Sequence, residues 1–185
     1  MGKVKGVAIM SRIAVLKEMF GADGLSEVLA KMKSQYREML GSVIASSWYD
    51  EEMYMDFNKA IQRTLSVKDP LIMEHLGEHS AEAGLKGVYS SRLKEGDVKL
   101  TLSRASVLWK AFHDTGELTV EMDPSENKAV FKVVGYELPH VESCKNLIGW
   151  GRRMVELSGG NNVKVDKHKC VCKGDEYCEM RVTWE

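Results

Sequence analysis

Apolar residues along the first two-thirds of the chain recur at the three-to-four-residue spacing of helix faces. A first helix is predicted to begin almost at the N-terminus. After Asp23, Leu25, Val28, Leu29, Met32, Tyr36 and Leu40 fall on one face. Asp50 stands where an N-cap belongs, ahead of a stripe formed by Met53, Phe57, Ile61 and Leu65, and Trp48 is placed to fold back as a hydrophobic staple. Asp69-Pro70 opens a further helix that carries Gly77, Gly84 and Gly87. A glycine inside a helix costs ~1 kcal/mol relative to alanine. These positions therefore point to a close helix approach, a break, or room for a ligand. Asp97 begins another helix, with Val98, Leu102, Ala105, Trp109 and Phe112 on one face, and Gly116 ends it.

From residue 117 the period changes to two. Leu118, Val120 and Met122 alternate with Glu117, Thr119 and Glu121, the pattern of a half-buried strand. The run Asp123 to Asn127 reads as a turn, and Ala129 to Tyr136 as the returning strand. Pro139 opens a helix with Val141, Cys144, Ile148 and Val155 on one side, closed by Gly159-Gly160. A last hairpin follows, from Val163 to Cys170 and Tyr177 to Trp184, turning through Lys173-Gly174-Asp175. The fold class expected is α+β, a run of N-terminal helices packed with a small antiparallel sheet made of two hairpins separated by a helix. No repeat, low-complexity tract or linker interrupts it, so residues 1–185 are expected to form a single domain.

Charge narrows the partners. The 185 residues carry a formal charge of −1, so no strong field draws in nucleic acid or an anionic membrane. Ser11, Arg12 and Lys17 interrupt the N-terminal apolar stretch, which argues against a signal peptide. No stretch is long enough to span a membrane. A cytoplasmic setting is expected, and there the uneven cysteines, Cys144 alone and Cys170, Cys172 and Cys178 clustered, favour metal ligation over disulfides.

Cys170 and Cys178 bracket the final turn, and Cys144 lies on the preceding helix. Zinc takes about four ligands in a tetrahedron, of which these thiolates would supply most. Asp166, His168 and Cys172 are the candidates for the fourth. The competing reading is a set of core thiols, since free cysteine is among the most buried residue types. Strand parity sets a condition: Cys170 is out of phase with Val163 and Val165, so a bulge near Lys167 is required to re-aim it.

The segment Cys144-Lys145-Asn146-Leu147-Ile148-Gly149-Trp150, with Cys170-Val171-Cys172-Lys173-Gly174-Asp175-Glu176-Tyr177-Cys178, resembles the C-terminal half of the V4R (4-vinyl reductase) domain. That domain is the effector-binding part of phenol-responsive bacterial activators. The resemblance implies a zinc site on which Cys144, Cys170 and Cys178 fall. Lys167 stands where the family has a glutamate, which makes His168 the preferred fourth ligand and Asp166 the next. The stretches Ser47 to Phe57, Gly84 to Tyr89 and Leu108 to Phe112 resemble a related bacterial group in the same superfamily. That superfamily also holds the Bet3-like vesicle-tethering subunits and the haem-based nitric oxide sensors. Its members typically dimerise and enclose an apolar cavity between helices and sheet, so a homodimer and such a cavity are implied here.

The expected pocket walls are Trp48, Tyr89, Trp109, Phe112, His113 and Tyr136, although an aromatic stripe at helical spacing is more often core. The pocket tryptophan of the phenol sensors falls near Val133 or Val134, so phenol recognition does not carry over. Haem is the lesser alternative to zinc. His75 and His79 lie one turn apart and His113 or His140 would serve as an axial ligand, yet no Cys-x-x-Cys-His attachment motif is present. Gly159-Gly160 follows a helix, the wrong context for a phosphate-binding loop, and no catalytic constellation is evident. The expectation is a non-enzymatic sensor or binding module for a small apolar or aromatic ligand, passing its signal to a separate output protein. An assembly subunit or a tetrapyrrole-binding accessory protein are the alternatives.

Overall fold

The computed structural model describes residues 2–87 and 89–185. A short strand β1 (Lys3–Lys5) leads straight into helix α1 (Gly6–Leu29), which kinks where Gly21 takes a positive φ of 71°. The helix face expected to run unbroken from Leu25 to Leu40 is divided, because the chain turns at residues 30–33 before α2 (Ser34–Leu40). The side chain of Asp56 accepts the Lys33 amide at 2.9 Å, satisfying a backbone donor that a continuous helix would have used internally. Strand β2 (Trp48–Asp50) pairs antiparallel with β1. Opposite Lys5 in that ladder, Trp48 is exposed beneath the lysine ammonium at 4.4 Å instead of folding back as a staple.

Helix α3 (Glu51–Leu65) follows at once and buries the stripe expected of it. Helix α4 (Ile72–Lys86) starts just beyond Asp69, whose side chain accepts the Leu71 amide at 3.0 Å. The helix expected from Asp97 to Gly116 is two helices, α5 (Val98–Leu102), capped by Asp97, and α6 (Ala105–Phe112). Ser103 back-bonds to the Leu100 carbonyl at 2.7 Å, and Arg104 ties the break to the Ser91 carbonyl at 3.0 Å.

Strands β3 (Glu117–Met122) and β4 (Lys128–Val134) form the first hairpin, α7 (Val141–Leu157) crosses over, and β5 (Lys164–Lys169) and β6 (Cys178–Thr183) form the second. The hairpins join edge to edge in the order β3-β4-β6-β5, antiparallel throughout. The mixed α+β architecture matches the expectation from periodicity. Apolar burial divides into two clusters. One is built from α1 to the start of α4; the other joins the end of α4, α5, α6 and α7 to the inner face of the sheet.

Gly77 of α4 is explained by α7. A Cβ at Gly77 would meet the Trp150 amide nitrogen at 2.8 Å, and one at Gly149 would meet the Glu74 carbonyl carbon at 2.6 Å. Each helix thus drives its backbone into a notch on the other. Arg152 then bridges Glu74 and Glu78 at 2.9 and 2.7 Å, and Arg153 holds Glu82 at 2.8 Å, along the same seam. No helix among the described residues is long and apolar enough to cross a membrane.

Candidate functional site

Helix α7 carries Cys144 in its first turn, facing the end of the second hairpin. The β5–β6 register shifts between Lys167 and Lys169, so that His168 is the extra residue of a bulge. That bulge is the parity correction demanded by the sequence, and it turns Cys170 inward. Beyond it the chain makes a tight 3₁₀ turn over Val171–Lys173, with Gly174 in the left-handed region at φ 96°. Asp175 accepts the Cys170 amide at 2.7 Å, and the turn delivers Cys178 to the start of β6.

The sulfurs converge. Cys144 Sγ lies 3.7 Å from Cys170 Sγ and 3.8 Å from Cys178 Sγ. The sulfurs of Cys144, Cys170 and Cys172 all fall within 4.8 Å of one another. A tetrahedral zinc with Zn–S bonds of ~2.3 Å sets its sulfurs about 3.8 Å apart, so the spacing suits that ion. His168 is exposed on the bulge and Asp166 is exposed on β5, outside this group, whereas the exposed Cys172 lies within 4.8 Å of Cys144 and Cys170. Burial works against the charge of Lys167, but its hydrogen bond to Cys144 together with the charges of Cys144, Cys178 and Cys170 outweighs that cost and holds its pKa up. Hydrogen bonding with Cys144, a backbone amide at Val171 and the Lys167 charge pull Cys178 down to about 5, while Cys144, donating to Cys178 and buried, is pushed up. A lysine at this position sets a cation beside the sulfurs, where it offsets the charge of a thiolate.

A pocket of about 440 Å³ opens between the helices and the sheet, within the ~300–1,000 Å³ span of small-molecule sites. Tyr89, Trp109, Phe112, His113 and Tyr136 line it, as do Leu118, Val133, Leu147 and Trp150. Trp48 does not, being held outward on β2. The rings pack edge to face, Tyr89 on Phe112 at 5.3 Å and Trp109 on Tyr136 at 5.3 Å. His113 stacks on Trp109 at 4.4 Å, and its Nδ1 lies 3.5 Å from Glu51 Oε2. The other Glu51 oxygen accepts the hydroxyl of Tyr136, a phenol whose pKa rises through burial and the neighbouring carboxylate. Cys144, Lys167 and Cys178 also reach the pocket, so the sulfur cluster and the hollow share a wall.

Sequence reasoning missed the polar floor. Arg12 of α1 is 2 % exposed, and Tyr54, Asn58 and Arg12 all line the pocket. The signal was present: Ile9, Arg12 and Leu16 share one helix face, which places a guanidinium on an otherwise apolar stripe. Glu51, the first residue of α3, is fully buried beside the ring cluster. Of the remaining histidines, His75 pairs with Asp69 at 2.7 Å, and His140 is buried against Asn58.

No protein-family model matches this chain, and no curated protein matches it in sequence. Solved structures do match in fold. An H-NOX protein from K. algicida in the Fe(II) unliganded state aligns with a TM-score of 0.70 at 10% identity, covering 98% of this chain and 96% of that one. An H-NOX protein from S. oneidensis in the Fe(II)NO ligation state aligns with a TM-score of 0.71 at 12% identity, covering 98% and 99%. At this identity the likeness is one of fold. The chain shares the fold of these H-NOX structures over nearly its whole length.

Proposed function

We propose that this chain is a small-molecule sensor domain that binds an apolar or aromatic ligand between its helices and sheet and holds a structural zinc on Cys144, Cys170, Cys172 and Cys178. The observation that carries the reading is the pocket itself, with walls supplied by α1, α4, α6, the sheet and α7 together. An assembly subunit would call for a filled interior. Bridging both halves of the fold, a guest changes the packing of each against the other, which is what a sensor needs to transmit occupancy. Zinc, when bound, supplies a fixed tetrahedral joint between α7 and the β5–β6 turn. The chain's own residues do the rest: the bulge aims Cys170, Asp175 shapes the turn, and Lys167 offsets the sulfur charge. We read the module as non-catalytic and as a homodimer in a reducing compartment, signalling through a separate partner.

Haem is a second reading, favoured by one observation. His113 is the sole histidine on the pocket wall among the described residues, and the Glu51 carboxylate lies behind its Nδ1. A metal-bound imidazole characteristically directs its other nitrogen at such a carboxylate. His113 would then hold an iron porphyrin by its remaining nitrogen.

Gly84 offers a direct test. It lines the pocket with ordinary helical geometry, and a Cβ there meets nothing closer than the Tyr89 ring at 3.7 Å. Gly84→Phe is expected to fill the hollow and relieve a helix-interior glycine, leaving the melting temperature within about 3 °C of the parent. Binding of the neutral fluorophore Nile red, followed by its emission, should fall at least about tenfold. Binding that is unchanged in Gly84→Phe would place the ligand elsewhere.

A further inference from the structure

The pocket floor contains a charge that the protein leaves incompletely matched. Arg12 is 2 % exposed, yet no carboxylate lies within ion-pair distance of it among the described residues. Its Nη1 donates to the Asn58 side-chain oxygen, its Nε has no hydrogen-bond partner, and its guanidinium carbon sits 4.8 Å from the Tyr54 ring centre. Glu51, the acid whose field reaches Arg12, is engaged by Tyr136 and faces His113. A guanidinium stays protonated in proteins, and a desolvated charge costs several kcal/mol unless it is paired.

The arginine is also held in place. Asn58 accepts from Arg12 through its oxygen and donates through its nitrogen to His140 Nε2 at 3.2 Å. His140 in turn donates from Nδ1 to the Leu138 carbonyl at 3.3 Å. Burial lowers the His140 pKa, which keeps it neutral and able to accept from Asn58. Both ends of the amide are thus fixed, and the amide fixes the guanidinium. A fork of donors set at the edge of an aromatic hollow is the arrangement that receives a planar oxyanion.

We propose that the ligand of this pocket is amphipathic, an apolar or aromatic body carrying a carboxylate that seats on Arg12. The assignment depends on the pocket being the ligand site and adds the head group that the ligand must have. The carboxylate has two sources in chemical terms, a small organic acid or the propionate of a tetrapyrrole, and the test separates them.

Nile red, being neutral, reports pocket occupancy independently of the head group. Dodecanoate and 2-naphthoate are to be compared with dodecanol and 2-naphthol as competitors for it, on the intact chain and on Arg12→Met. In the parent protein the acids should compete at concentrations at least about tenfold below their alcohols, and Arg12→Met should erase that preference while retaining Nile red. Hemin run alongside assigns the source: hemin capture that weakens about tenfold in Arg12→Met identifies a tetrapyrrole, and the same loss with either acid identifies a small one. Equal competition by acid and alcohol in the parent protein, a comparison that needs no variant to fold, overturns the head-group assignment and leaves the pocket standing. A preference that survives in Arg12→Met overturns it too. Failure of the parent protein to bind Nile red, the acids and hemin overturns the pocket reading and this one with it.

Discussion

Cys178→Ala is expected to lose its zinc and to melt roughly 10 °C lower than the parent chain. Geometry is the reason. Three elements separated by up to 34 residues place sulfurs 3.7 and 3.8 Å apart, close to the ~3.8 Å edge of a zinc–sulfur tetrahedron. Metal-binding energy at such a site is folding energy, and losing one ligand costs about 3–5 kcal/mol, which in a chain of this length lowers the melting temperature by ~2–4 °C per kcal/mol. Cys172→Ser identifies the fourth ligand. It should cut zinc retention by at least about tenfold, whereas His168→Ala, on the exposed bulge, should leave zinc and stability alone. Metal analysis by plasma mass spectrometry and a thermal melt read both. Retention of zinc in Cys172→Ser with loss in His168→Ala would return the site to the ligand set preferred from the sequence.

Gly149→Ala is expected to cost about 3 kcal/mol or more, a fall in melting temperature of roughly 6–12 °C. The added methyl would meet the Glu74 carbonyl carbon at 2.6 Å and its Cα at 2.9 Å, which are backbone atoms of α4 that move only if the two helices separate. Separation also loosens the Arg152 bridges to Glu74 and Glu78 and the Gly77 notch. Gly151 is the internal control. It lies on the same helix half a turn further on, and a methyl added there would have nothing within 4 Å of it, so Gly151→Ala should be neutral or stabilising by up to ~1 kcal/mol. Chemical denaturation of the pair checks it; equal effects at both positions would refute close packing as the role of Gly149.

Periodicity made most of the elements legible, because amphipathic faces follow directly from which side of a helix or strand meets the core. The stripe of α3, both hairpins and the crossover helix α7 were all readable in that way. Breaks were not. The turn before α2 depends on Asp56 accepting the Lys33 amide from 23 residues away, and the α5–α6 break on Arg104 reaching Ser91. Local propensity contains neither contact. Bulge parity at Lys167 was legible because strand alternation leaves no other way to bring Cys170 inward. The approach of Cys172 to Cys144 and Cys170 was not, since its position follows from a 3₁₀ turn whose path the spacing alone does not define. Trp48 shows the same limit in reverse: an aromatic residue ahead of a cap suggests a staple, but pairing of β2 with β1 turns it to solvent.

Arg12 marks where pattern and function part. A charged residue on the buried face of α1 breaks the rule that its neighbours Ile9 and Leu16 obey, and such local violations concentrate where a site is being built. Asn58 lies 46 positions beyond Arg12, and His140 a further 82 beyond Asn58, so only the folded chain brings them together.

Native mass spectrometry of the untreated protein is the most direct test of a zinc-clasped, ligand-holding domain, because metal and retained ligand are read in one spectrum. The expected mass exceeds that of the polypeptide by one zinc ion per chain, together with a small organic molecule released on collisional activation. A bare polypeptide mass that stays bare after incubation with zinc and with the amphipathic acids would contradict both the clasp and the pocket.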